Sequence, residues 1–67
     1  MSVARITEIT STSERSFDEA VQDGIDRAGT TVRGITGAWI SDQEVVVEDG
    51  VITLYKVRMR VTFVLDT

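Results

Sequence analysis

From Val51 to Leu65 the chain alternates its side chains with a period of two. Tyr55, Val57, Met59, Val61 and Phe63 point one way, and Lys56, Arg58, Arg60 and Thr62 point the other. That pattern is a β-strand with one face in a core and the other facing water or an assembly. Just upstream, Asp49-Gly50 is a two-residue hairpin signal, because a type I′ turn needs positive φ at both central positions. A second strand is therefore expected over about 36–48, ending in Val45-Val46-Val47, and a third over about 51–65.

The turn sets the expected register. With Asp49 and Gly50 as the loop, Trp39 faces Arg60, Ser41 faces Arg58 and Gln43 faces Lys56. In a ladder without a β-bulge all six lie on the face away from the core.

Upstream, Ser16-Phe17-Asp18-Glu19 fits a capping box, with Ser16 as N-cap and Glu19 reaching back from the third helical position. Phe17, Ala20, Val21, Ile25, Ala28 and Val32 then recur every three or four residues, one apolar stripe of an amphipathic helix. Gly24 lies on the same stripe, where its use is close approach of helix to sheet at a cost of roughly 1 kcal/mol in helix propensity. Gly34 is the expected C-cap, so the helix is placed at about 16–33. Before it, the β-branched residues 3–10 read as a first strand, broken by Ser11, Thr12 and Ser13. The order is β-α-β-β, an α+β domain occupying residues 1–67.

One helix cannot cover so long a strand pair, and 67 residues bury only about 60% of their unfolded surface. Chains this small recruit disulfides, metals or partners. With no Cys and no His, disulfides, thiolate metal sites and the commonest general base are excluded, which leaves oligomerisation. A net charge of −4 with dispersed basic residues argues against nucleic acid as a partner. No apolar run approaches the roughly 20 residues that span a bilayer, and residues Met1 to Thr10 lack signal-peptide character. The expectation is a soluble, cytoplasmic protein that is not an enzyme.

The segments Thr12-Ser13-x-x-Ser16-Phe17, Ala20 to Ala28 with Ile25-Asp26-Arg27-Ala28, Asp42-Gln43, and Val57-x-Met59-x-Val61-x-Phe63 together resemble the dodecin family over nearly the whole chain. The resemblance implies a three-stranded antiparallel sheet wrapped partly around one helix. It also implies a hollow homododecamer, with the chain's own copies as partners and flavins held in pairs between subunits in many members. Flavin-binding dodecins stack a Trp of the second strand on the isoalloxazine ring. An ungapped count places Gly37 at that position, with Trp39 two residues later on the same face. Where those members carry an aromatic-Gln pair whose Gln bonds the flavin edge, this chain has Tyr55-Lys56, and its hairpin is two residues shorter. A dodecin-like subgroup described as calcium-binding shows a similar shift.

The candidate sites follow from this. Trp39 either stacks a ligand ring or packs between subunits, with Arg60 over it as a cation–π partner. Lys56, Arg58 and Arg60 form a basic stripe that either holds a flavin phosphate or pairs with acids of a neighbouring subunit. Asp42, Glu44, Glu48 and Asp49 are hairpin oxygen donors: either part of a Ca²⁺ site completed by symmetry, or a solvated edge. Gly37, Gln43 and Trp39 complete the ligand-site set. FMN or riboflavin binding weaker than in typical dodecins, or absent, is expected. The alternative is a shell that binds cations or is purely structural.

Overall fold

A computed structural model describes residues 3–65, within the single domain expected over 1–67. Strand β1 spans Val3–Ser13, helix α1 Phe17–Ala28, strand β2 Ile35–Glu48 and strand β3 Val51–Leu65. The sheet is antiparallel in the order β1-β3-β2, so the alternating strand lies in the middle. Asp49 (φ 51°) and Gly50 (φ 78°) both adopt positive φ, as the hairpin tip requires.

The core is small. Val57, Met59 and Val61 of β3 are fully buried, as is Ala20 of the helix, with Phe17, Val21 and Ile25 packed around them. A fully buried aliphatic side chain contributes about 1.5–3 kcal/mol. Gly24 brings the helix down onto the sheet: a β-carbon there would lie 2.9 Å from Met59 Cε and 3.1 Å from Ser11 Cβ. The subunit is long and thin, 51 × 19 × 14 Å, with a Cα radius of gyration of 13.8 Å. A compact chain of this length would have about 11 Å. Its 5021 Å² of accessible surface likewise exceeds the about 4,200 Å² of a compact protein of its mass.

Four expectations need correction. First, the Ser11-Thr12-Ser13 cluster does not break β1, which continues to Ser13. Regular pairing with β3 runs unbroken to Ser13 opposite Tyr55, and Ser13 itself is buried. Its Oγ accepts the backbone N–H groups of Arg15 (3.0 Å) and Ser16 (3.4 Å), which turns the chain into the helix. Second, the capping box is half formed. Ser16 Oγ accepts from Glu19 N at 3.0 Å, but the Glu19 carboxylate turns to Arg15 at 3.7 Å because Ser13 already serves Ser16 N.

Third, the helix ends at Ala28, well short of Gly34. The Thr30 and Thr31 hydroxyls donate to the carbonyls of Arg27 (2.7 Å) and Ala28 (3.2 Å), and these local bonds compete with helix continuation. Gly29 caps it in right-handed conformation (φ −64°). Gly34 takes φ +76° at the entry to β2, where a β-carbon would meet the Val64 carbonyl oxygen at 2.8 Å. Fourth, the hairpin ladder is not regular. It shifts between Ile35 and Gly37, between Ile40 and Asp42, and between Val46 and Val47. Ser41 is the extra residue in the second shift, and Thr53, on the opposite strand, in the third.

Candidate functional site

The helix covers one side of the sheet, and the other side of the described residues is bare. The Ser41 and Thr53 bulges together decide what that open face carries. Trp39 faces Arg60, as expected, but between the bulges Asp42 faces Arg58 and Glu44 faces Lys56. Ser41 therefore does not face Arg58 side chain to side chain; its Oγ instead donates to the Arg58 carbonyl oxygen at 3.1 Å. Gln43 does not face Lys56 either. It stands opposite Val57, and since facing residues share a side, it belongs to the core side of the overhanging edge strand. An extra residue on one strand moves every later side chain to the other face.

The result is a run of cross-strand ion pairs. Arg58 Nη1 lies 3.3 Å from Asp42 Oδ2, and Lys56 Nζ lies 3.6 Å from Glu44 Oε1. Arg60 Nε lies 3.4 Å from Glu8 Oε2 of β1, while its guanidinium carbon lies 5.3 Å from the Trp39 ring centroid. Glu8 was not singled out from sequence. The signal was present in the alternation of Ile6, Glu8, Thr10 and Thr12, which puts Glu8 on the same face once β1 pairs with β3. Asp42, Glu44, Lys56 and Arg58 line a shallow recess of about 260 Å³, with Thr10 and Gln43 completing its wall.

Trp39 remains 65% exposed despite its arginine partner, so much of the indole is open. Gly37 stands opposite Thr62 on the same face, and a β-carbon there would meet nothing within 4 Å. The space beside the indole is real. Asp42, Glu44 and Glu48 lie at even positions along β2, on one side of the strand, about 7 Å apart from Asp42 to Glu44 and about 13 Å from Glu44 to Glu48. Among the described residues, no three acidic groups converge closely enough to hold a metal ion within one subunit.

The dodecin family profile matches residues 3–66. The chain belongs to the dodecin family. Dodecin from Streptomyces davaonensis is 32% identical and superposes with a TM-score of 0.93, covering 98% of this chain and 97% of that one. Dodecin from Streptomyces coelicolor is 27% identical with a TM-score of 0.93, over 98% and 94%. Calcium dodecin from Mycobacterium tuberculosis, described as a calcium-chelating immunodominant antigen with a novel calcium-binding site, is 28% identical with a TM-score of 0.82, over 96% and 91%. No curated protein matches by sequence. The β-α-β-β dodecin fold and its three-stranded antiparallel sheet are thus as the sequence resemblance implied.

Proposed function

We propose that this dodecin is a non-enzymatic subunit of a closed homo-oligomer, of twelve copies as in the resemblance, and that it holds a small planar ligand of the flavin type against Trp39. The observation that carries the reading is the exposed indole itself. The chain's one Trp stands 65% exposed on the uncovered sheet face, beside the open space at Gly37. Stacking on such a ring adds about 0.5–1.5 kcal/mol beyond area burial. The thin subunit and its small core support assembly, since an uncovered sheet face and a long hairpin arm gain stability only from a neighbour. The absence of His and Cys from the sequence supports a role without catalysis.

Purified protein tests this through its size by light scattering and through quenching of riboflavin fluorescence. The expected result is a large oligomer that quenches riboflavin weakly, with quenching abolished in Trp39→Ala. An intact oligomer with no quenching would favour a second reading, a cation-binding or structural shell. That reading draws on the row of Asp42, Glu44 and Glu48 along β2 and on the likeness to calcium dodecin. Six to eight oxygens are needed for Ca²⁺, so a neighbouring copy must complete any such site.

A further inference from the structure

The three cations of the open face are matched by three carboxylates of the same subunit. Glu8 meets Arg60, Asp42 meets Arg58 and Glu44 meets Lys56, at 3.4, 3.3 and 3.6 Å. Each pair is also a facing pair in the strand ladder, so the backbone holds the partners together. The arrangement depends on two bulges: that at Thr53 brings Glu44 and Asp42 opposite Lys56 and Arg58, and that at Ser41 returns Trp39 to its place opposite Arg60 on the same face. A regular ladder would set the neutral Ser41 and Gln43 opposite Arg58 and Lys56, leaving, among the described strand residues, Glu8 as the face's one acid against three cations. With the bulges, the basic stripe is neutralised from within.

We infer that this face selects uncharged planar rings over their phosphorylated forms. The inference rests on the proposed stacking role of Trp39 and adds the charge class of the ligand. A phosphate monoester carries about −1.5 to −2 charges at neutral pH. To bond Arg58 or Lys56 it must share the cation with a carboxylate that stays tethered on the neighbouring strand, and the two anions then repel across one small face. Arg60 is engaged twice, by Glu8 and by the Trp39 ring. A neutral ring meets none of this opposition. It gains the indole surface and leaves the ion pairs in place.

Riboflavin and riboflavin 5′-phosphate differ by that one group, which makes them suitable probes. Both are titrated into the assembled parent and into the double variant Asp42→Asn, Glu44→Gln, with oligomer size checked in each. The parent is expected to bind riboflavin about fivefold more tightly than the phosphate, the scale of one exposed ion pair. Added salt should narrow that gap by screening. In the double variant the phosphate-to-riboflavin affinity ratio should rise by about fivefold or more, because two cations are released. The ratio is internal to each variant, so a general loss of affinity does not mimic the effect. If the double variant fails to assemble, Glu44→Gln alone provides the same comparison at Lys56. Tighter binding of the phosphate by the parent, or an unchanged ratio in the variants, overturns the inference. Failure of both ligands to bind the parent overturns the stacking role of Trp39 and the selectivity with it.

Discussion

Asp42 stands opposite Arg58 one residue further along β2 than a regular hairpin would place it, and the two side chains meet at 3.3 Å. Both are more than half exposed in the single subunit, 65% and 53%, so the pair gains modest Coulomb energy and is screened by salt. A double-mutant cycle with Asp42→Ala and Arg58→Ala should give a coupling of about 0.2–1 kcal/mol that shrinks as salt is added. Urea midpoints at fixed protomer concentration measure it. A salt-insensitive coupling of several kcal/mol would show instead that a neighbouring copy buries the pair.

Two glycines with nearly equal φ make a second test. Gly50 (+78°) has open space where a β-carbon would go, whereas at Gly34 (+76°) that carbon would lie 2.8 Å from the Val64 carbonyl oxygen. Gly50→Ala therefore carries backbone strain alone, about 1–2 kcal/mol. Gly34→Ala adds a clash with main chain that cannot rotate away, for a total of about 2–4 kcal/mol. Thermal melts of the two variants should rank in that order. Gly50→Val, β-branched at positive φ, should melt below Gly50→Ala.

At Gly24 two effects oppose each other. Alanine adds about 1 kcal/mol of helix propensity, while its methyl presses on the mobile end of Met59 and on Ser11 Cβ. Gly24→Ala is expected within about 1 kcal/mol of the parent, and Gly24→Leu to lose about 1–3 kcal/mol through overpacking. Equal melting of the alanine and leucine variants would mean that the helix does not approach the sheet this closely.

Assembly should appear in the stability itself. If the folded subunit depends on its neighbours, the melting temperature rises with protomer concentration. Val47 and Ile52 face each other near the hairpin tip, 54% and 48% exposed in the single chain. Val47→Lys at so exposed a position costs an isolated subunit little. In an assembly that covers the arm it should reduce the particle size seen by light scattering. A stable folded monomer at micromolar concentration would remove the basis for a shell.

Much of the fold was legible because its signals are local. The alternation of β3, the Asp49-Gly50 tip and the Ser16 cap each follow from a few neighbouring residues. Trp39 opposite Arg60 was also reached by counting from the turn, although two bulges intervene. They lie on opposite strands and cancel, so the count fails between them, at Ser41 and Gln43, and recovers beyond. Nothing in Ile40-Ser41-Asp42 marks a bulge, since the extra residue answers to the twist and packing of a long strand pair. The early end of the helix had a cue in Thr30-Thr31, whose hydroxyls bond the last turn, but a Gly four residues on from Thr30 looked like the better stop. From sequence, Asp42 and Glu44 read as hairpin donors and the cations as a separate stripe. Only the register shows that they belong to one another.

The bulges also mark where the chain can change length. Ser41 faces no residue of β3, and Thr53 faces none of β2. Loss of Ser41 would let Ile40 and Asp42 follow one another as ordinary neighbours, still opposite Met59 and Arg58. Loss of Thr53 would do the same for Ile52 and Leu54 opposite Val47 and Val46. Removing a paired residue such as Gln43 instead forces the strand to slip or to exchange its two faces. Thr36, between Ile35 and Gly37, is unpaired in the same way. Insertions and deletions among relatives of this hairpin should therefore gather at these three points, where the chain can grow or shrink without altering which chemistry each side displays.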